Sequence, residues 1–566
     1  MSSSLAGHSI DVCVSSNDAS CPHHMYDAVL SSKALEFVAA LAVAFDQEIE
    51  QLHARRQIRR LATEKHGAMP HFLDETRAIR QDKTWKIDAQ PKVLMDRRVD
   101  IGDVSPVNKK FLLYALNSGA QGVQVDFDDG HCPTWNNTIQ GHYNVLQATR
   151  GLLEVSGERL VENPALLIIR PRAWNMDELH MVVNGHVVPG ALFDFGVHLF
   201  HNGKYLVENG TGPFLYLSKV RPCLRAIELL PSILTLDACA LDYTQLEGYT
   251  EAALWRRIFE YTEKKLQLAH GSIKATVLIE NIFAAFEMDE ILYELRHHSS
   301  GLNCGMWDYT ASIVVNFRHR PECLLPDRQQ YVSMKSDFLR VYMDLLIATC
   351  KRRHAPATTG MVPFVLAELP PQLSQSEAIE KTQSGKRMEA CAGSDGALVY
   401  DLALVQPVAE VFTAARENTS TYTAVLDEEL LNKKLLELPR GHVTLQSVEM
   451  NVRVTFLYIL HWLYGRGTVI VKGCVEDSAT AEISRAQLWQ WIYHRVSIAG
   501  TSRQVDAFLI KEMLGKVLHE EKLKQYHPPQ YIETAQHLVF LLSTMRCPPA
   551  YITTFLQKTL EHWQFP

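Results

Sequence analysis

Four short apolar runs constrain this chain more than anything else in it. Each is closed by a charged residue, and stretches of helical periodicity separate them. They are GVQVDFDD at 122–129, ALLIIR at 165–170, FLYLSK at 214–219 and ATVLIE at 275–280. A run that is apolar along most of its length fits a strand covered on both faces, the environment of parallel β-structure. Strands alternating with helical patterns indicate βα units. In a closed barrel of such units the C-terminal strand ends converge on one mouth, where chemistry is placed. Asp129, Arg170, Lys219 and Glu280 would gather there. For any one of them, a polar loop after a strand explains the residue equally well.

This α/β texture runs over 96–415, and the flanks differ. Residues 1–24 are rich in Ser, Asn, Asp and His without periodicity and read as a flexible leader. Within 25–95, Leu35, Val38, Ala39, Leu41, Ala42 and Phe45 recur at helical spacing, followed by a loop-like stretch over 61–95. Residues 416–566 return to helical texture. Leu430, Leu431, Leu435, Leu436 and Leu438 cluster, helices are expected over 452–463 and 486–494, and prolines at 528–529 and 548–549 punctuate the end.

Composition excludes several classes. With 47% hydrophobic and 21% charged residues the chain is globular rather than disordered. A net charge of −8 without a basic stripe makes nucleic acid and anionic membrane poor partners. The pairs Arg55-Arg56 and Arg59-Arg60 and the run Lys351-Arg352-Arg353 read as solvated helix faces. No apolar run approaches the roughly 18 residues of a membrane span. The 11 cysteines are scattered without a CxxC pair, which argues for a reducing compartment and against a zinc ribbon. The N-terminus lacks a secretory pattern, and the terminal Gln564-Phe565-Pro566 is not an SKL-type tripeptide. There is no P-loop, GxSxG, HExxH or strand-borne GxGxxG.

Four residues remain as candidates for chemistry. Glu280 closes a buried strand, and Asp308 lies in GLNCGMWDY at 301–309. Two carboxylates at one mouth, with no Cys or His cluster beside them, suit a hard cation such as Mg²⁺. A helix cap and an exposed loop acid account for the same pair. Arg170 follows five apolar residues, so its charge needs a partner or a ligand. It could balance an anionic intermediate, or pair with Asp128. Asp477 opens a helix in the C-terminal region, either as its cap or as a base carried over the barrel mouth.

These residues and their neighbours resemble the malate synthases of the shorter A type, over about 70–494. The stretches that carry the likeness are DRRVDI at 96–101, ALNSGA at 115–120, LFDFG at 192–196, KATVLIE at 274–280, the segment 286–309 with its GLNCGMWDY string, and 476–491. The resemblance implies a (β/α)8 TIM barrel over 96–415 with an N-terminal helical clasp over 25–95 and a C-terminal helical plug over 416–566. It also implies an acyltransferase reaction, in which acetyl-CoA, glyoxylate and water give malate and CoA. The family's metal ligands match Glu280 and Asp308, its catalytic arginine matches Arg170 and its catalytic aspartate matches Asp477. Mg²⁺ would chelate glyoxylate, and backbone amides near Gly305, Trp307 and Asp308 would hold the glyoxylate carboxylate. Cytoplasmic or peroxisomal residence and an oligomeric state are compatible with the family.

The chain also departs from the family pattern. Met306 replaces an arginine, Thr310 an aliphatic residue and Asp128 a glutamate. The segments around Thr359, Ser394 and Asp401-Leu402-Ala403 differ as well. Those at Thr359, Ser394, Asp401 and Asp128 are expected near the substrate pocket walls. They keep open a related acyl-CoA and 2-oxo acid condensation with altered substrate, or a catalytically weakened homologue that binds.

Overall fold

A computed structural model describes residues 2–5, 8–15, 21–63, 67–218, 248–417, 427–521 and 527–562. At its centre eight parallel strands close into a barrel: β1 (Val99–Val104), β2 (Gly122–Asp126), β3 (Leu166–Arg170), β4 (Phe214–Leu217), β5 (Lys274–Ile279), β6 (Ser299–Cys304), β7 (Ala357–Val362) and β8 (Gly396–Val399). Each pairs with the next in sequence, and β8 closes on β1. This is the (β/α)8 architecture expected. Lys219 lies outside the described residues, as do the C-terminal residues 563–566.

The barrel closes tightly at its N-terminal end. A Cβ on Gly396 would lie 1.5 Å from the Arg97 carbonyl oxygen, so no larger residue fits where β8 meets the chain entering β1. The floor is polar, and its charges are paired. Arg97 Nη2 donates to Asp100 Oδ2 at 2.7 Å and to the Tyr216 hydroxyl at 2.8 Å, and that hydroxyl donates to Asp100 at 2.6 Å. The family-like string at 96–101 therefore contributes structure, with Asp100 neutralising a buried guanidinium.

Helix α1 (Ser32–Leu61) runs where helical spacing predicts it. Its Val38, Leu41 and Phe45 are buried. Val38 and Leu41 pack on α2 (Gly190–Glu208) at Gly196, where a Cβ would meet them at 3.0 and 3.1 Å. The small residue is what lets the two helices approach. The N-terminal leader is corrected here. Ser2–Leu5 and His8–Val14 form strands, the second pairing with Asp177–Val183. A single strand added to a sheet edge needs only a short alternating segment, and HSIDVCV is too brief to stand out. The basic clusters are corrected too. Arg56, Arg59 and Arg353 are buried, paired with Glu251, Glu287 and Asp289 respectively. Helix α3 (Tyr249–Leu266) carries Glu251, and a buried guanidinium in an interhelical seam looks like surface charge in sequence.

A second core lies C-terminal to the barrel, around Phe456, Trp462, Trp491 and Leu538. Its helices α5 (Leu445–Leu463) and α6 (Ser478–Tyr493) follow α4 (Met306–Asn316), the helix after β6. α6 is buried along nearly its whole length because it is wedged between barrel and second core. Its polar residues face barrel loops. Gln487 Nε2 donates to Pro326 O at 2.7 Å, Gln490 Nε2 to Cys323 O at 2.8 Å, and Trp491 Nε1 to Leu325 O at 2.8 Å. These bonds hold the C-terminal half of α6 on the barrel loops, and at its start the Ser478 hydroxyl donates to Asp129 Oδ1 at the barrel mouth.

Candidate active site

The C-terminal strand ends and the start of α6 enclose a cavity of about 140 Å³, lined among others by Asp103, Asp129, Arg170, Glu280, Asp308 and Asp477. All four residues singled out for chemistry therefore meet in one place. Each arrives from a different element: Arg170 ends β3, Glu280 follows β5, Asp308 stands in the first turn of α4, and Asp477 precedes α6.

Arg170 is the positive centre. Nη1 donates to Asp126 Oδ2 at 3.3 Å, Nη2 to Asp128 Oδ2 at 3.2 Å and to Asp129, and Glu280 Oε2 lies 3.7 Å from Nη2. Burial works against this charge, but Asp126, Glu280 and Asp128 outweigh it and hold the guanidinium ionised. The pairing with Asp128 exists, and it is one strand of a web rather than an isolated ion pair. Nε–H is buried without an acceptor among the described residues, so the guanidinium keeps an uncommitted donor there.

Glu280 and Asp308 are both buried, which removes the exposed-loop reading of either. Asp129 joins them, and the ligand atoms of the three carboxylates lie within 4.8 Å of one another. Three buried carboxylates at that spacing repel unless a cation or protons intervene. An all-oxygen donor set with no sulfur or imidazole fits a hard divalent ion. The Tyr551 hydroxyl reaches the same acids, 3.2 Å from Asp129 Oδ1 and 3.3 Å from Asp308 Oδ1. Tyr551 is anchored through its neighbour, since Ile552 N–H donates to Glu482 Oε2 at 2.8 Å.

α4 begins at Gly305, which offers no side-chain cap. Gly305, Met306, Trp307 and Asp308 all line the cavity, so the positive end of the helix is directed at it. The Gly305 N–H itself is committed, donating to the Tyr342 hydroxyl at 3.0 Å. An anion at this helix end therefore meets the amides that follow Gly305.

Asp477 is the N-cap of α6. Its Oδ1 accepts from Thr480 N–H at 2.9 Å, and the Thr480 hydroxyl accepts from Asp477 N–H at 2.9 Å. The cap and the place in the cavity wall hold together, because capping occupies one carboxylate oxygen. Two of the divergent segments lie elsewhere. Ser394 bonds Ala357 O and Gly396 O at the N-terminal ends of β7 and β8, and Asp401 caps a short turn through Ala403 N–H. Gly360 and Met361, next to Thr359, do line the cavity.

Sequence reasoning left three participants unassigned. Asp129 was one acid among several in the run at 126–129, Asp103 was hidden inside a strand, and Tyr551 stands alone before the last helix. Only Asp129 carried a signal, its place after an apolar run.

Residues 166–229 and 239–438 match the family described as malate synthase, TIM barrel domain, and residues 442–543 the family described as malate synthase, C-terminal. The chain is 38% identical to a malate synthase of Myxococcus xanthus over 95% of both chains. It is 36% identical to malate synthase A of Escherichia coli, covering 86% of this chain and 87% of that one. It is 37% identical to the glyoxysomal malate synthase of Gossypium hirsutum, covering 87% of this chain and 83% of that one.

Proposed function

The chain belongs to the malate synthase family, and from that premise we propose that Asp477 is its base, Arg170 its oxyanion donor, and Glu280 and Asp308 its Mg²⁺ ligands. The enzyme is an acyltransferase: acetyl-CoA, glyoxylate and water give malate and CoA. The observation that carries the assignment of roles is the meeting of these four side chains in one cavity at the barrel mouth.

The chemistry follows from what each group can do. A thioester α-proton is far less acidic than a carboxylic acid, so Asp477 alone is a weak base for it. The deficit is met where negative charge develops. As Asp477 takes the methyl proton, the enolate oxygen gains charge, and the guanidinium of Arg170 is fixed by its acids in a water-poor cavity to receive it. Glyoxylate binds with its carboxylate at the start of α4, on the amides near Trp307 and Asp308, which fixes its aldehyde carbon toward the enolate. Mg²⁺ held by Glu280 and Asp308, with Asp129 beside them, would polarise that aldehyde. The enolate carbon attacks it, and hydrolysis of the resulting thioester releases malate and CoA.

The test is CoA release from acetyl-CoA, first with glyoxylate and then with larger 2-oxo acids. Turnover with glyoxylate is expected to exceed turnover with the rest, and equal or greater turnover with a bulkier oxo acid would overturn the substrate assignment. Among the described residues no single helix is long and apolar enough to cross a membrane. The compartment proposed is the cytoplasm or the peroxisome, and a fluorescent fusion with a free C-terminus reports which.

A further inference from the structure

Asp103 is a buried acid of the cavity wall that the four assigned roles do not use. It is the last but one residue of β1, and its φ of +53° lies in the left-handed region. A non-glycine residue there is held against its preference, and such strain collects at functional sites. The backbone is locked in place. Asp103 N–H donates to Gln124 Oε1 at 3.2 Å, and the loop after β2 crosses so closely that a Cβ on Gly130 would lie 2.7 Å from Asp103 O.

The side chain turns into the cavity, 5% exposed. Its Oδ1 stands 4.0 Å from Arg170 Nη1, longer than a hydrogen bond, and its Oδ2 has no donor among the described residues. Asp477 lines the same cavity, and its carboxyl acts on that of Asp103 through charge and hydrogen bonding. Two carboxyl groups bond only through a proton, so one of the pair is an acid. Asp477 is the better anion of the two, because the amide and hydroxyl of Thr480 are placed around its Oδ1 and it caps the positive end of α6.

We propose that Asp103 is a positioning residue for Asp477, a carboxylic acid whose O–H donates to the Asp477 carboxylate and holds it in place for the acetyl methyl group. The inference rests on the assignment of Asp477 as base. Asp477 is then gripped from two sides, by its own helix and by β1 of the barrel, so the base carried by the second domain is registered against the barrel that carries Arg170. The groups facing Asp103 are Asp126 from β2, Arg170 from β3, Tyr400 beyond β8 and Asp477. Burial, then Asp477 and Asp126, raise its pKa well above the usual carboxylate range, against the pull of Arg170. The working pair carries one proton. With two there is no base, and with none two anions face each other in one cavity.

The experiment uses the full-length enzyme with D103N and D103G. Asn keeps a donor that cannot titrate. Gly relieves the left-handed strain, so thermal stability is expected at or above that of wild type. D103G should lower kcat by up to about 100-fold, the scale of a misplaced catalytic group, with KM for acetyl-CoA little changed. D103N should retain more rate and lose the alkaline limb of the kcat/KM profile. A D103G enzyme with wild-type kcat and pH profile overturns the proposal. A readout independent of turnover is the infrared difference spectrum between wild type and D103N at neutral pH. A protonated-carboxyl band present in wild type and lost in D103N is expected, and its absence overturns the proposal. Should wild type release no CoA from acetyl-CoA and glyoxylate, the functional reading fails while the infrared band still decides the state of Asp103.

Discussion

Arg170 Nη2 lies 3.7 Å from Glu280 Oε2, so the proposed oxyanion donor and a proposed metal ligand are electrostatic neighbours. One guanidinium cannot neutralise Asp126, Asp128, Asp129, Glu280 and Asp308 together, and a divalent cation among the last three acids redistributes the field. Chelation should therefore abolish CoA release, and added Mg²⁺ should restore it. Glu280→Ala or Asp308→Ala should raise the Mg²⁺ concentration needed for half-maximal rate. Full activity in excess chelator would remove the metal from the reading.

Arg170 should be intolerant even of lysine. Its fork reaches Asp126 through one nitrogen and Asp128 and Asp129 through the other, which a single ammonium cannot span. Arg170→Lys keeps the charge and should fold normally. Its kcat should fall by about 10²–10³, the scale for losing one oxyanion donor. Steady-state kinetics with both substrates saturating makes the measurement, and an unchanged kcat would exclude Arg170 from the transition state.

What could be read in the sequence follows from what each strand faces. β2, β3, β4 and β5 stood out because segments such as LLIIR and KATVLI are apolar on most sides. β6 and β7 did not, since polar side chains bond one another between them: Asn303 Nδ2 donates to Thr358 Oγ1 at 2.8 Å, and β8, GALV, is only four residues long. Polar pairs of that kind read as loop until the partner strand is known. The same holds for the site. Arg170 and Glu280 were legible as charges at the ends of apolar runs, whereas Asp103 and Tyr551 owe their place to contacts with Asp477, Asp129 and Asp308 far away in sequence.

Arg172, two residues from Arg170, is the structural member of that pair. Its Nε and Nη2 donate to Asp194 at 2.8 and 2.7 Å, and Nη2 lies 2.8 Å from Glu178. Burial tends to raise the Asp194 pKa, yet Arg172 and His142 keep it below the usual range, so Asp194 is a committed anion. Arg172→Met would strand two buried carboxylates and should destabilise the fold by about 3–5 kcal/mol. Denaturant unfolding measures this, and a Met variant as stable as wild type would contradict the pairing.

Glu287 supplies a pH dependence. Burial pushes its pKa from 4.5 up to about 7, against Arg59 at 3.5 Å and the Tyr249 amide at 2.9 Å. The folded state therefore binds a proton that the unfolded chain has released. Stability should fall as pH rises through the window from 4.5 to about 7. Melting temperatures across that window should decline more steeply for wild type than for Glu287→Gln. Parallel declines would show that Glu287 ionises normally.

Asp477→Asn separates the base from the helix cap. Asn keeps the size of the side chain and an oxygen able to accept from Thr480 N–H, so the cap at 2.9 Å and the start of α6 should survive. What is lost is a carboxylate able to take a proton. Acetyl-CoA binding should be nearly unchanged while condensation is nearly abolished, so kcat should fall far more than KM rises. An isotopic measurement is more direct. With deuterated acetyl-CoA and an inert glyoxylate analogue bound, wild type should wash deuterium from the methyl group into water, and Asp477→Asn should not. Exchange at the wild-type rate in Asp477→Asn would leave Asp477 with the cap alone. The base would then have to be sought among the acids gathered on Arg170, with Asp129, whose carboxylate lines the same cavity, the first to substitute.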